Sequence, residues 1–167
     1  MASYDVIGNI AILKFNKETK QKTKKKIALG LLKQRNIKTV LEKIEKVKGR
    51  LRTIKTRFLA GIKTKETIHK ESGCKFKLDV EKCYFSPRLS NERLEIASKI
   101  NRKDNVLIMF AGVAPYSVII AKRARKVVSV ELGKECCKYA KENIRLNKLQ
   151  NVEIIQKDVK KLRLKEK

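Results

Sequence analysis

Tryptophan is absent from the 167 residues, histidine occurs once, cysteine four times, and acidic side chains are outnumbered by basic ones, 17 to 43. Each shortage removes a class of protein. Four cysteines are too sparse for an extracellular disulfide scaffold. Cys74, Cys83, Cys136 and Cys137 also lack the C-x2-C spacing of a zinc site, for which His69 is the sole imidazole. Reduced structural thiols and no metal are expected. With 5% aromatics, platforms for stacking nucleobases are few, with Tyr84, Phe85 and Tyr116 the leading candidates. No apolar run approaches the roughly 18 residues that a membrane-spanning helix needs; the longest, 106–116, is broken by Gly112 and Pro115. The first residues show no basic segment followed by an apolar stretch, so no secretory signal is legible. The expectation is a soluble, cytoplasmic chain without membrane contact.

What is present is positive charge on a foldable chain. The formal net charge is +26, while hydrophobic residues make up 42% of the sequence, enough for a core. A polyanion is the partner such a surface rewards, because bound phosphates release their counterions. Two basic clusters, 20–26 and 157–167, could track phosphates, or could be simple solvated faces.

Along the chain, residues 6–15 read as one or two short strands. Residues 16–26 read as a solvated loop entering a helix over 24–34. Strands are expected at 39–44, 50–59 and 63–71, with Gly73 turning the chain before a run at 74–78. Together residues 1–83 suggest a small α+β module, one helix on an antiparallel sheet. The pattern changes at Tyr84. A helix over 90–100, capped by Ser90 or Asn91, shows an apolar stripe of Leu94, Ile96, Ala97 and Ile100. The continuous apolar run 105–110 has the signature of a strand buried on both faces of a parallel sheet. A helix over 116–123, a strand over 126–132, a helix over 134–147 with Cys137, Ala140, Ile144 and Asn147 on one side, and a strand over 152–156 follow. This β-α-β-α-β order over residues 84–167 is half of a doubly wound, Rossmann-like α/β sheet.

In such sheets a small-residue loop after the first strand lets a ligand approach the backbone, and the next helix offers free N–H groups. Here that loop is Phe110-Ala111-Gly112-Val113-Ala114-Pro115-Tyr116-Ser117, which is not the G-x-G-x-x-G dinucleotide fingerprint. Glu131, at the end of the second strand, stands where a carboxylate can accept both hydrogens of a ribose diol. Asp158, after the third, is within plausible reach of an adenine amino group. A loop, a ribose acid and an adenine acid in this order suit an adenosine-containing cofactor such as S-adenosylmethionine. A solvated strand-end Glu and a helix-capping Asp are the plainer alternative.

The run Tyr84-Phe85-Ser86-Pro87-Arg88-Leu89-Ser90-Asn91-Glu92-Arg93, followed by Met109-Phe110-Ala111-Gly112-Val113, resembles the archaeal and eukaryotic tRNA (guanine-37-N1) methyltransferase family. Gly8-Asn9-Ile10-Ala11 and Thr67-Ile68-His69-Lys70-Glu71-Ser72-Gly73-Cys74 are similar to that family's middle, RNA-contacting module. Glu142-Asn143-Ile144-Arg145-Leu146-Asn147 resembles its helix after the second strand. The resemblance covers nearly the whole chain. It implies a class I enzyme that moves a methyl group from S-adenosylmethionine to N1 of guanine-37 in the tRNA anticodon loop. It implies further that the loop from Phe110 to Ser117 lines the methionine end of the cofactor, that Glu131 holds the ribose and Asp158 the adenine. Ser86, Pro87, Arg88 and Arg93 would face the substrate. Arg88 would be the catalytic cation, stabilising charge that builds on guanine O6; an ion pair with Glu92 is its alternative role. Of the possible general bases, Glu92 and Glu131 are available and neither is assigned by motif. His69 reads as structural.

The chain departs from the family pattern in three ways. Ile108 stands where an acid is usual, and Ala114 stands where glycine is usual, its methyl crowding a close backbone approach. The family's Asn-Pro-Pro motif, its remaining strands and its additional N-terminal domain have no counterpart here. The first strand of the parallel sheet is therefore expected to leave an edge open, which a separate chain could cover. Two other functions stay in view: a noncatalytic tRNA-binding remnant, and an aminocarboxypropyl transferase of wybutosine synthesis.

Overall fold

The computed structural model describes residues 3–44, 49 and 51–163. The chain divides into two compact units, one of residues 1–69 with 78–87, the other of residues 70–77 with 88–167.

In the first unit, strand β1 (Ser3–Ile7) turns at Gly8 and Asn9 into β2 (Ile10–Lys14). Gly8 sits at φ +57°, and a Cβ there would come within 2.1 Å of the Thr67 hydroxyl. The turn is held by that region: the Gly8 amide donates to His69 Nδ1 (3.1 Å) and the Asn9 amide to Thr67 Oγ1 (3.1 Å). His69 accordingly acts as a hydrogen-bond acceptor for the turn, its ring tilted against Phe85 at 5.0 Å. Helix α1 (Gln21–Leu31) then leads to β3 (Thr39–Lys43) and β4 (Thr56–Gly61). The strand order is β1-β2-β3-β4.

The sheet is mixed, which corrects the expected antiparallel one: β2 and β3 run parallel, and the flanking pairs are antiparallel. Parallel neighbours need a crossover, and α1 supplies it. It packs Ala28 and Leu31 onto Ala11, Leu13, Val40 and Ala60. The helix begins three residues earlier than expected and β4 six residues later; the end of the expected strand at residue 50 lies outside the described residues. Lys24 turns inward to the Glu42 carboxylate at 2.5 Å, both side chains largely buried. Glu81 accepts from the Thr56 amide and hydroxyl and from Lys65. Burial opposes its ionisation, but the hydrogen bonds from Lys65 and Thr56 outweigh it, so the carboxyl titrates below the ordinary glutamate value.

Strands β5 (Glu66–Glu71) and β6 (Cys74–Asp79) pair through the turn at Ser72 and Gly73, and the tip of this hairpin belongs to the second unit. That unit continues with a 3-10 turn (Pro87–Leu89), α2 (Ser90–Ser98), β7 (Asn105–Met109), α3 (Pro115–Ala121), β8 (Lys126–Glu131), α4 (Lys134–Leu146) and β9 (Val152–Gln156). The last three strands form a parallel sheet in the order β7-β8-β9, against which α3 and α4 pack. This is the expected Rossmann-like half-sheet.

Three expectations fail here. Strand β7 is not buried on both faces: Leu107 and Met109, which share one face of the strand with Asn105, are exposed, Met109 by 52%. In α2 the buried residues are Arg93 and Ala97, whereas Leu94 and Ile96 face solvent. Nor is α2 capped by Ser90 or Asn91; Leu89 occupies the cap position without a side-chain bond.

The tip of the hairpin is tied to α4 by two asparagines one helical turn apart. Asn147 accepts from the Lys75 amide (2.9 Å) and donates to the Lys75 carbonyl (2.7 Å). Asn143 does the same at Lys77, at 2.7 and 3.0 Å. Residues 75 and 77 point the same backbone edge outward, at a spacing of about 6.8 Å that matches the ~6 Å rise between helix positions i and i+4. The pair of side-chain amides therefore satisfies a strand edge as a neighbouring strand would.

Candidate functional site

The carboxyl ends of β7, β8 and β9 lie side by side, because the hydrogen-bond ladder runs on past the strands. The Ala111 amide donates to Val130 O (3.0 Å) and the Lys157 amide to Glu131 O (2.9 Å). This brings the Phe110 loop, Glu131 and the Asp158 connection to one end of one sheet.

Glu131 is the organising residue. Its Oε2 accepts from the Gly112 amide at 2.8 Å and its Oε1 from the Gly133 amide at 2.7 Å, and the residue is 8% exposed. Gly112 adopts φ +58°, a conformation that favours glycine. An ionised carboxylate has about four acceptor positions, and the two amides use two. The remaining two match the two hydrogens of a vicinal diol, so the residues present fit a ribose at this point. Asp158 caps the short 3-10 helix that follows β9, accepting from the Lys160 amide at 3.1 Å. It stands two residues beyond β9, at the same end of the sheet as Glu131. Behind Glu131, the Cys137 thiol donates to the Glu131 carbonyl at 3.5 Å. Burial, then the Glu131 charge and then Cys136, push its pKa up to about 11, so it stays a neutral thiol.

The loop mixes exposed and enclosed residues. Phe110, at φ +60°, is 77% exposed, and Gly112 and Tyr116 are half-buried. Ala111, Val113, Ala114, Pro115 and Ser117 are buried, their side chains packed inside the fold. Ser117 bonds Ser129 (2.8 Å), and the Val113 carbonyl accepts from Asn143 at 2.9 Å. At the helix start Pro115 has no N–H to offer a ligand. Ala114 precedes it in the left-handed region, at φ +68° and ψ 37°. A β-carbon there costs roughly 1–2 kcal/mol. Ala114→Gly relieves that strain but loses a fully buried methyl, about 0.8 kcal/mol, and frees the unfolded chain, so a stability change of under about 1 kcal/mol is expected. A urea midpoint that drops by the equivalent of about 2 kcal/mol or more in this variant would contradict the strain argument.

On α2, Arg93 is 1% exposed. Its Nε and Nη2 bond the two oxygens of Glu71 at 2.6 and 2.7 Å, and its guanidinium lies 5.7 Å from the Tyr116 ring centre. This corrects the expectation of a substrate contact for Arg93, whose donors face Glu71 inside the fold. Arg88, on the 3-10 turn, is exposed; Ser86 and Pro87 precede it in the first unit and are half-buried. The Tyr116 hydroxyl donates to the exposed Glu92 at 2.5 Å. Phe85 is buried, which removes it as a stacking platform; Tyr84 is 38% exposed, with the Arg52 guanidinium over its ring at 4.4 Å. The last four residues of the basic cluster 157–167 lie outside the described residues.

Residues 67–167 match the model of the TRM5/TYW2 methyltransferase domain, and residues 1–64 that of the TYW2 N-terminal domain. The chain belongs to the TRM5/TYW2 methyltransferase family. Among its relatives is the tRNA (guanine(37)-N(1))-methyltransferase Trm5b of Pyrococcus abyssi, 40% identical over 98% of this chain and 49% of the relative. The solved complex of aTrm5 and tRNALeu superposes with a TM-score of 0.92 at 37% identity, over 98% of this chain and 49% of that one. The Methanocaldococcus jannaschii TYW2 in complex with AdoMet gives a TM-score of 0.70 at 30% identity, over 98% of this chain and 60% of that one. The chain thus spans about half the length of the curated relative it matches, which carries the remainder in the same polypeptide. The idea of a separate completing chain finds no support there. In this chain, Asn143 and Glu71 have roles that local sequence reading does not assign, since their partners lie 66 and 22 residues away.

Proposed function

We propose that this chain is the cofactor-holding part of a tRNA (guanine-37-N1) methyltransferase that works in the cytoplasm on the anticodon loop. The observation that carries the reading is the Glu131 carboxylate, held by the Gly112 and Gly133 amides at the carboxyl end of β8 with acceptor positions left for a ribose. S-Adenosylmethionine, when bound, supplies an electrophilic methyl group. Glu131 orients the ribose, Asp158 the adenine, and Phe110, Gly112 and Tyr116 form the wall beside the methionine end.

Guanine N1 must lose a proton as it becomes a nucleophile. With both Glu131 oxygens engaged by amides, Glu92 is the carboxylate left to accept that proton, its Oε1 aligned by the Tyr116 hydroxyl. Arg88, four residues before Glu92, is the cation that offsets charge on O6. A base paired within a loop must swing out to reach these groups. The first unit, residues 1–69 with 78–87, contributes RNA contact on this reading.

Calorimetry of the chain with S-adenosylmethionine tests the core of it. Binding is expected, and Glu131→Gln is expected to weaken it about 10- to 100-fold, since hydrogen bonds to a charged group contribute about 1.5–3 kcal/mol. Binding unaffected by Glu131→Gln would overturn the site. A tRNA product carrying an aminocarboxypropyl arm would replace the methyl-transfer reading, and RNA binding with no cofactor binding would favour the noncatalytic one.

A further inference from the structure

Helix α1 forms against every local electrostatic preference. Its eleven residues, QKTKKKIALGL, contain four lysines and no acid, and no acidic side chain lies in the first turn. The cap residue is Lys20, which makes no side-chain capping bond. Cations near a helix amino terminus oppose the peptide dipoles. Like charges three and four residues apart, here Lys22 with Lys25 and Lys26, repel. One lysine of the set has a partner: Lys24 points inward to Glu42. Lys22, Lys25 and Lys26 do not; among the described residues they form no ion pair, and all are exposed. The nearest acid in sequence, Glu18, precedes the helix and is also exposed. Helical spacing sets Lys22, Lys25, Lys26 and Leu29 on the face opposite the buried Lys24, Ala28 and Leu31, and Lys33 extends that stripe by one more turn.

A row of unpaired cations that destabilises its own helix is explained if a polyanion completes it. We propose that the outward face of α1 is a docking surface for the sugar-phosphate backbone of RNA, with Lys22, Lys25 and Lys26 as the principal phosphate contacts. The proposal rests on the tRNA reading above for the choice of polyanion, and it assigns a contact surface that the cofactor site does not involve. An anionic lipid surface fits less well, because membrane-lying helices insert an apolar face. The apolar face of α1 is already packed into the core, which leaves Leu29 as the single exposed apolar residue in the helix.

The test compares two charge-matched variants of the full chain. Lys22→Gln/Lys25→Gln/Lys26→Gln removes three charges from α1. Lys134→Gln/Lys138→Gln/Lys141→Gln removes three exposed charges from α4 and serves as the control. Binding to an unmodified tRNA transcript with guanine at position 37 is followed by fluorescence anisotropy across a salt series. In the α1 variant the slope of log affinity against log salt is expected to shrink by about 2 to 3, since each phosphate contact contributes about 0.7–0.9. Affinity at low salt should fall at least about tenfold, and the melting temperature should stay level or rise, because the repulsion within α1 is relieved. The α4 variant should keep most of the wild-type affinity.

Equal losses in both variants would mean that net charge alone matters, and would overturn the proposal. So would wild-type affinity in the α1 variant, absence of RNA binding by the wild-type chain, or loss confined to phosphatidylserine vesicles. Cofactor calorimetry on the same proteins keeps the two readings apart, because α1 has no part in the Glu131 site: a silent wild type there counts against the enzyme reading only.

Discussion

Replacing Arg93 by methionine is expected to destabilise the protein by about 3–5 kcal/mol, the range for removing one partner of a buried ion pair. The guanidinium meets both Glu71 oxygens side by side, and the two side chains are 1% and 5% exposed. Without it, the Glu71 carboxylate stays buried and loses its bidentate cation. Arg93→Lys should recover only part of the loss, since an ammonium cannot repeat the two parallel bonds. The double variant Arg93→Met/Glu71→Leu should recover most of it, because the buried charges leave together. Urea unfolding of the wild type, Arg93→Met, Glu71→Leu and the double variant gives a complete cycle, with Arg93→Lys measured beside it. A cost below about 1 kcal/mol for Arg93→Met, the range of an exposed pair, would show that the pair is solvated and that Arg93 is free for another role.

Asn143→Ala should be the second most costly change, at about 3 kcal/mol. It strands the Lys77 amide, the Lys77 carbonyl and the Val113 carbonyl, and each buried polar group left without a partner costs about 1–3 kcal/mol. Asn147→Ala removes a similar set of bonds, but its contacts to Lys75 are exposed, so about 1 kcal/mol is expected. The two variants differ in a second way. Only Asn143 reaches the loop after β7, through Val113, so only its loss should loosen that loop. Hydrogen exchange at the Ala114 amide, which bonds the Ala111 carbonyl at 2.9 Å, should accelerate in Asn143→Ala and not in Asn147→Ala. Equal protection in both would mean that the loop holds its own shape.

These two residues also mark where sequence reading stops. Strands β8 and β9, helix α4 and the loop after β7 are legible within a residue or two, because β-branched runs alternate with short loops and amphipathic segments. Glu131 is legible for the same reason: an acid ending a buried strand is conspicuous. The burial of Arg93 is not, since a guanidinium on a helix looks solvent-facing until Glu71, 22 residues earlier, is known to lie against it. The stripe expected for α2 therefore differs from the face that is buried, which carries Arg93 and Ala97. The lysine-dense start of α1 offers no periodicity, so its first turn reads as loop, and the parallel pairing of β2 with β3 depends on that helix as crossover. The exposure of Leu107 and Met109 depends on what packs over their face of the sheet, which local pattern does not encode.

The asparagine pair on α4 has one more consequence, for how the protein ages. Deamidation turns an asparagine donor into a carboxylate that can only accept. At Asn147 this would delete the bonds given to the Lys75 and Asn143 carbonyls and set a negative charge beside both. Asn143, fully enclosed, is shielded from water, whereas Asn147 is half-buried at the helix end. Of the two, Asn147 should therefore deamidate first on prolonged heating and release the turn at Gly73 from the helix before the parallel strands are disturbed.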